Sequence, residues 1–101
     1  MTWYAYVLEL LAGALITNAM PHWVFGLSGT PLQSPFAKPP GVGESSPTVN
    51  VYWGFANLVG GIVLLVKFWP ASYVGWLVVC AGSLAIGTHL SLHFGKVRAK
   101  S

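Results

Sequence analysis

Three long apolar windows divide the chain. Residues 3–20 carry a single charge, Glu9. Residues 49–66 carry none, and Lys67 closes them. Residues 73–93 contain no Asp, Glu, Lys or Arg. A helix that crosses the hydrocarbon core of a bilayer needs about 20 residues, and backbone in lipid must satisfy its own hydrogen bonds, which favours helices over open strands. The pattern therefore predicts an all-α chain with three transmembrane helices, over about 3–20, 49–67 and 73–93, forming a single integral membrane unit over residues 1–101. A barrel needs short alternating segments, and the runs Leu8–Leu11 and Gly61–Val66 do not alternate. The first window has no positive segment before it and is interrupted by Glu9, so it reads as a retained helix and not a leader.

Between the first two windows, residues 21–50 hold six of the seven prolines: Pro21, Pro31, Pro35, Pro39, Pro40 and Pro47. Proline locks φ and removes a donor, which disfavours a long helix there. The segment also carries Trp23, Val24, Phe25, Leu27, Phe36 and Val42, apolar residues that a plain linker does not need. It is expected to be a long, ordered Pro/Gly-rich loop lying at head-group level or against the helices. The second connection, 68–72, is short, which predicts an antiparallel pair of the second and third helices.

Composition sharpens this reading. Of 101 residues, 54 % are hydrophobic and 7 % charged, against about 25 % charged in soluble domains. With a mean hydropathy of +0.65, the chain fits a membrane and not a soluble monomer or a disordered tail. One cysteine, Cys80, permits no internal disulfide. The net charge is +3, and Lys96, Arg98 and Lys100 cluster at the C-terminus. The positive-inside rule then puts the C-terminus in the cytoplasm and the N-terminus outside, in a plasma (bacterial inner) membrane, with Lys67 as the exception.

Each predicted helix carries a stripe of small and polar residues at helical spacing. These are Ala5, Glu9, Gly13 and Thr17 on the first, Asn50, Gly54, Asn57 and Gly61 on the second, and Ser83, Gly87 and Ser91 on the third. Small residues let membrane helices approach closely, and amides hydrogen-bond between them. Such stripes serve packing within one unit or docking of a partner.

The ionisable residues are the candidate chemistry. A charge at mid-bilayer costs about 2.5–3.5 kcal/mol on insertion scales, so Glu9 needs a reason. Lys67 is expected at the same end of the bundle and could snorkel toward it. Pairing with Lys67, contact with a partner's cation, and proton or ion transport all fit Glu9. At the other end lie His22, and His89 and His93 at a four-residue spacing, close in level to Asn18, Asn50 and Asn57. The histidines are candidates for haem, metal or pigment ligation. The bland alternative is a set of interfacial residues near a helix end. Two ligands on one helix do not close a metal site, so no metal is assigned and any cofactor is unknown. Glu9, Lys67, Asn57, Asn18, Trp23 and Phe25 are the candidate partner-facing or intramembrane residues. No nucleophile–base pair, phosphate loop or nucleic-acid motif is present, so neither an enzyme nor a nucleic-acid partner is expected.

The stretches Met20–Gly29, Ser34–Phe36, Ser46–Pro47 and Val49–Leu58 resemble small, uncharacterised bacterial membrane proteins with three helices. The resemblance implies a fold and no activity. The Pro-Gln signature of SWEET-type half-transporters is missing. So is the fourth helix of small multidrug transporters, whose first helix carries a membrane glutamate. The leading expectation is a non-catalytic accessory or stabilising subunit of a larger membrane complex, respiratory or photosynthetic in type. Its partners would be other membrane subunits, copies of itself, and lipid. The alternatives are a homo-oligomeric transporter or channel using Glu9, and a haem-, metal- or pigment-ligating protein using His22, His89 and His93.

Overall fold

The computed structural model describes residues 2–99. Three helices dominate: α1 (Trp3–Leu27), α2 (Pro47–Lys67) and α3 (Tyr73–Ala99). Each is long and apolar enough to cross a membrane. The longest dimension is 45 Å, comparable to the ~40–45 Å of a bilayer with its head-group layers.

The first and third helices run past their expected ends. Pro21 lies inside α1, and the helix continues to Leu27. Proline inside a helix is tolerated where neighbouring helices hold the backbone. Here the turns after Pro21 are clasped by α2: a Cβ on Gly26 would lie 2.7 Å from the Pro47 carbonyl oxygen and from a Val51 methyl. At the other end of the loop, Ser46 caps α2. Its hydroxyl accepts from the Val49 amide at 3.2 Å, and Pro47 occupies the first helical turn, where proline's missing donor and fixed φ are favourable. The connection therefore narrows to residues 28–46, a correction to the long loop expected over 21–50. Within it, β1 (Leu32–Gln33) and β2 (Glu44–Ser45) form a two-residue antiparallel ladder, pairing Leu32 with Ser45 and Gln33 with Glu44.

The helices do not form a closed three-way bundle. α1 lies between the other two; α2 packs antiparallel and α3 parallel to it, and α2 and α3 scarcely touch. The expected α2–α3 pair is thus replaced by two seams on α1. The reason is in the glycines. A Cβ on Gly13 would collide with the Val79 carbonyl of α3, and one on Gly82 with the Leu10 carbonyl of α1. On the α2 seam, Gly54 faces the Trp23 amide and Gly61 the Ala12 carbonyl. Backbone meets backbone on both sides of α1, as small residues permit in membranes.

The interior is accordingly small and polar. Ala5, Ala12 and Ala19 are buried, together with Glu9, Asn50 and Asn57. Large apolar side chains such as Leu11, Phe55, Ile62, Val66, Leu77 and Leu84 point outward. This inversion suits a lipid solvent, where apolar burial supplies little drive and close packing and interhelical hydrogen bonds supply the rest.

Candidate functional site

The loop end of the molecule gathers most of its polar side chains into one network, and Asn50 is its hub. This side chain is fully buried in the first turn of α2. Its Nδ2 donates to the carbonyls of Leu32 at 3.1 Å, Ser45 at 3.2 Å and Ser46 at 3.1 Å. One amide thus ties both strands of the loop to α2. The three acceptors also fix which end of the amide is nitrogen. Its Oδ1 faces His22 Nδ1 of α1 at 2.7 Å, so that ring nitrogen carries the proton and donates. A neutral imidazole then holds its lone pair on Nε2.

Further bonds lie beside this network. Asn18 Nδ2 donates to Asn57 Oδ1 at 3.0 Å, bridging α1 and α2, and Asn57 Nδ2 donates to the Trp53 carbonyl at 2.8 Å. The hydroxyls of Ser34 and Ser45 meet at 2.5 Å inside the loop. On α3, His93 Nε2 donates to the Gly41 carbonyl at 2.6 Å. Gly41 has φ of +73°, a conformation that glycine adopts without a Cβ penalty. The turn it makes presents that carbonyl to α3. The loop is therefore bonded to α2 through Asn50 and to α3 through His93.

Between these elements lies a cavity of about 130 Å³. Asn18, His22, Gln33, Ser34, Trp53 and His93 line it, with Phe94, Leu90, Pro35 and Gly41. Two lining residues hold buried polar atoms without a hydrogen-bond partner: Gln33 Oε1 and Trp53 Nε1. Buried polar groups are nearly always paired; these two atoms have no accessible surface and so do not open into the cavity. The walls carry no Asp, Glu, Lys or Arg.

Of the three candidate histidines, the structure brings His22 and His93 to this cavity and leaves His89 outside its lining. His89 is exposed and stacks on His93, with ring centroids 6.1 Å apart. Among the described residues, no group of three or more His, Cys, Asp or Glu comes together. Asn18 and Asn57 bond to each other between α1 and α2, and Asn18 lines the cavity. Trp23 packs against Phe55 at 5.9 Å, away from the cavity. Phe25 lies under the Arg98 guanidinium, 5.3 Å from the ring centroid. Sequence reasoning did not single out Gln33, Ser34, Trp53 or Phe94 as site residues. Nothing in their local pattern marks them: the loop's fold brings Gln33 and Ser34 to the cavity, and helix packing brings Trp53 and Phe94 to His22.

The opposite end holds the other candidate. Glu9 is wholly buried, and both of its carboxyl oxygens lack a partner. The carboxyl group lies against Gly75. The expected Glu9–Lys67 pair does not form. Lys67 is exposed, and its ammonium lies 5.9 Å from the Phe68 ring centroid. The cause is the α1–α3 seam: Gly75 admits the carboxyl group toward α3, away from the end of α2.

No family model, curated protein or solved structure matches the chain.

Proposed function

We propose that the chain is a small, non-catalytic accessory component of a larger membrane assembly. One observation carries this reading: a groove along α1 and α3, lined by Thr17, Ser83, Gly87, Thr88 and Ser91 together with Leu84 and Leu92, stays open on the outside of the chain. The Thr17 and Ser83 hydroxyls bond to each other at its floor, while Thr88 and Ser91 are exposed. Hydroxyl and glycine positions open toward lipid, at the middle of a spanning helix, suit a second helix far better than acyl chains. Native mass after gentle extraction from the source membrane tests it. Co-migration with other polypeptides is expected, and Ser91→Leu should release the chain while leaving its helicity intact. A discrete particle containing this chain alone would overturn the reading.

The homo-oligomeric transporter reading keeps one supporting observation, the unpaired Glu9 carboxyl. Against it, that carboxyl is sealed within a single chain, so a shared path would have to open the α1–α3 seam. Flux into proteoliposomes that is abolished by Glu9→Gln would bring this reading to the front. Ligation of haem, a metal or a pigment by His22, His89 and His93 has less support, because His89, though stacked on His93, lies outside the cavity that His22 and His93 line. An absorbing or metal-containing species in the purified protein would restore it.

For orientation, the loop end gathers Lys38, Lys96 and Arg98, and the other end has Lys67. This favours a cytoplasmic loop and C-terminus in an inner membrane. Labelling of Ala99→Cys in a Cys80→Ala background should fail from the outside.

A further inference from the structure

We infer that the cavity between the loop and the last turns of α3 binds the phosphate group of an anionic membrane phospholipid. The inference is independent of the assembly role.

Depth comes first. Tyr73 opens α3 and is exposed, as an aromatic at a membrane boundary would be. Lys96 stands about 35 Å further along the helix, at about 1.5 Å per residue. The hydrocarbon core is about 30 Å thick, and the head-group layers extend the bilayer to about 40–45 Å. A crossing that begins near Tyr73 therefore delivers the Lys96 ammonium to the head-group layer on the loop side.

A cavity of about 260 Å³ lies there, lined by Val42, His93, Lys96 and Val97. A water molecule takes up about 30 Å³ of the liquid, so a phosphodiester group, a few waters in size, has room. The loop wall is fixed by its own turn. The Gly41 amide donates to the Ser34 carbonyl at 2.9 Å, and the Val42 and Gly43 amides donate to the Pro39 carbonyl at 3.1 and 2.8 Å. His93 Nε2 then joins this turn to α3 through the Gly41 carbonyl. Val42 is held at the cavity in this way, although it is 51 % exposed.

Charge selects the ligand. Lys96 is the one charged residue of the lining, and it is exposed, so its ammonium is open to an incoming group. The chain has two acids, and both stand elsewhere: Glu9 at the opposite end and Glu44 in β2, outside the lining. Among the described residues, no carboxylate pairs with Lys96. Lys38 and Arg98 add positive charge at the same end. Basic residues at head-group depth attract anionic lipid, and a lysine ammonium suits a phosphate oxygen as a compact point charge.

The remaining walls separate lipid from a free anion. Val42 and Val97 offer apolar surface to the glycerol and first acyl carbons, which inorganic phosphate lacks. A zwitterionic lipid carries its own cation beside the phosphate, and Lys96 repels it. The lining therefore favours a phospholipid of net negative charge.

The test is native mass spectrometry of the full chain in neutral detergent, with phosphatidylglycerol as probe. Phosphatidylcholine and excess inorganic phosphate are the comparisons. One phosphatidylglycerol should be retained in preference to phosphatidylcholine, and inorganic phosphate should not displace it. Lys96→Gln should weaken retention by about fivefold, the worth of one cation at an anionic surface. Lys38→Gln removes the same charge outside the lining and should weaken it less. Val42→Trp fills the cavity at constant charge and should also lower retention. Equal retention of the two lipids would overturn the inference, as would equal losses from Lys96→Gln and Lys38→Gln, which mean diffuse attraction to the basic end. Displacement by inorganic phosphate would make this a site for a free anion and overturn the lipid assignment. All three substituted side chains are exposed, so the fold should survive, and the comparison of probes on the wild-type chain decides without them.

Discussion

The carboxyl group of Glu9 on α1 lies against the backbone of Gly75 on α3, each oxygen 3.2 Å from where a Cβ on Gly75 would stand. The same Cβ would lie 2.7 Å from Cβ of Pro70, so the smallest residue is required on two sides. Gly75→Ala should therefore destabilise the protein by about 1–3 kcal/mol, the usual cost of overfilling a packed site, read as a lower thermal midpoint in detergent. Lys67→Ala should leave the midpoint unchanged, because Lys67 does not pair with Glu9. Equal losses from the two substitutions would contradict the geometry.

Asn50 is expected to be the most sensitive polar position. Its amide serves three carbonyls and the His22 ring. With a net worth near 1 kcal/mol per hydrogen bond, and buried partners left orphaned, Asn50→Leu should cost about 2–4 kcal/mol. The loss should fall first on the loop. Limited proteolysis should cut residues 28–46 faster in the variant than in the wild type. Loop cleavage at the wild-type rate would mean that the strands and the His93 contact suffice to hold it.

The two glycine seams make a directional prediction. Gly13→Val and Gly82→Val drive a side chain into a facing helix carbonyl and should separate α3 from α1, seen as a loss of folded protein on gel filtration. Gly95→Ala, with open space at its Cβ position, should be neutral or slightly stabilising, since alanine is the better helix former. Parallel behaviour of the three variants would refute the seam.

The Asn18–Asn57 bridge should matter less than its burial suggests. Interhelical hydrogen bonds in membrane proteins average about 0.6 kcal/mol and reach about 1.7. Asn18→Ala should fall in that range by thermal or chemical unfolding, well below Asn50→Leu. A larger loss would assign Asn18 a role beyond the bridge.

Much of the candidate site was legible as residue types and not as a site. The polar stripe Asn50, Gly54, Asn57 and Gly61 stands out by helical spacing, and all four residues are buried against α1. The placing of His22, His93 and the asparagines at one end follows from helix direction alone. Gln33 and Trp53 were not legible as site residues. A glutamine in a proline-rich loop carries no periodic signal, and its approach to α1 depends on a two-residue ladder that Asn50 anchors. The Glu9–Lys67 pair failed for a related reason: depth in the membrane can be counted along a helix, but which neighbour a side chain faces cannot.

What the chain's order of residues determined by itself was the number of long helices, because lipid requires each crossing segment to be apolar and to satisfy its own backbone. It also determined which faces carry small and polar residues, through the fixed helical period. Tertiary structure alone decided that α1 lies between α2 and α3, that the helix persists beyond Pro21, that the loop shrinks to residues 28–46, and that Glu9 turns toward Gly75. These outcomes rest on contacts between segments distant in sequence, where glycine backbones meet carbonyl oxygens and one buried amide serves partners on two elements. Such contacts depend on the relative placement of whole helices, which no local pattern encodes.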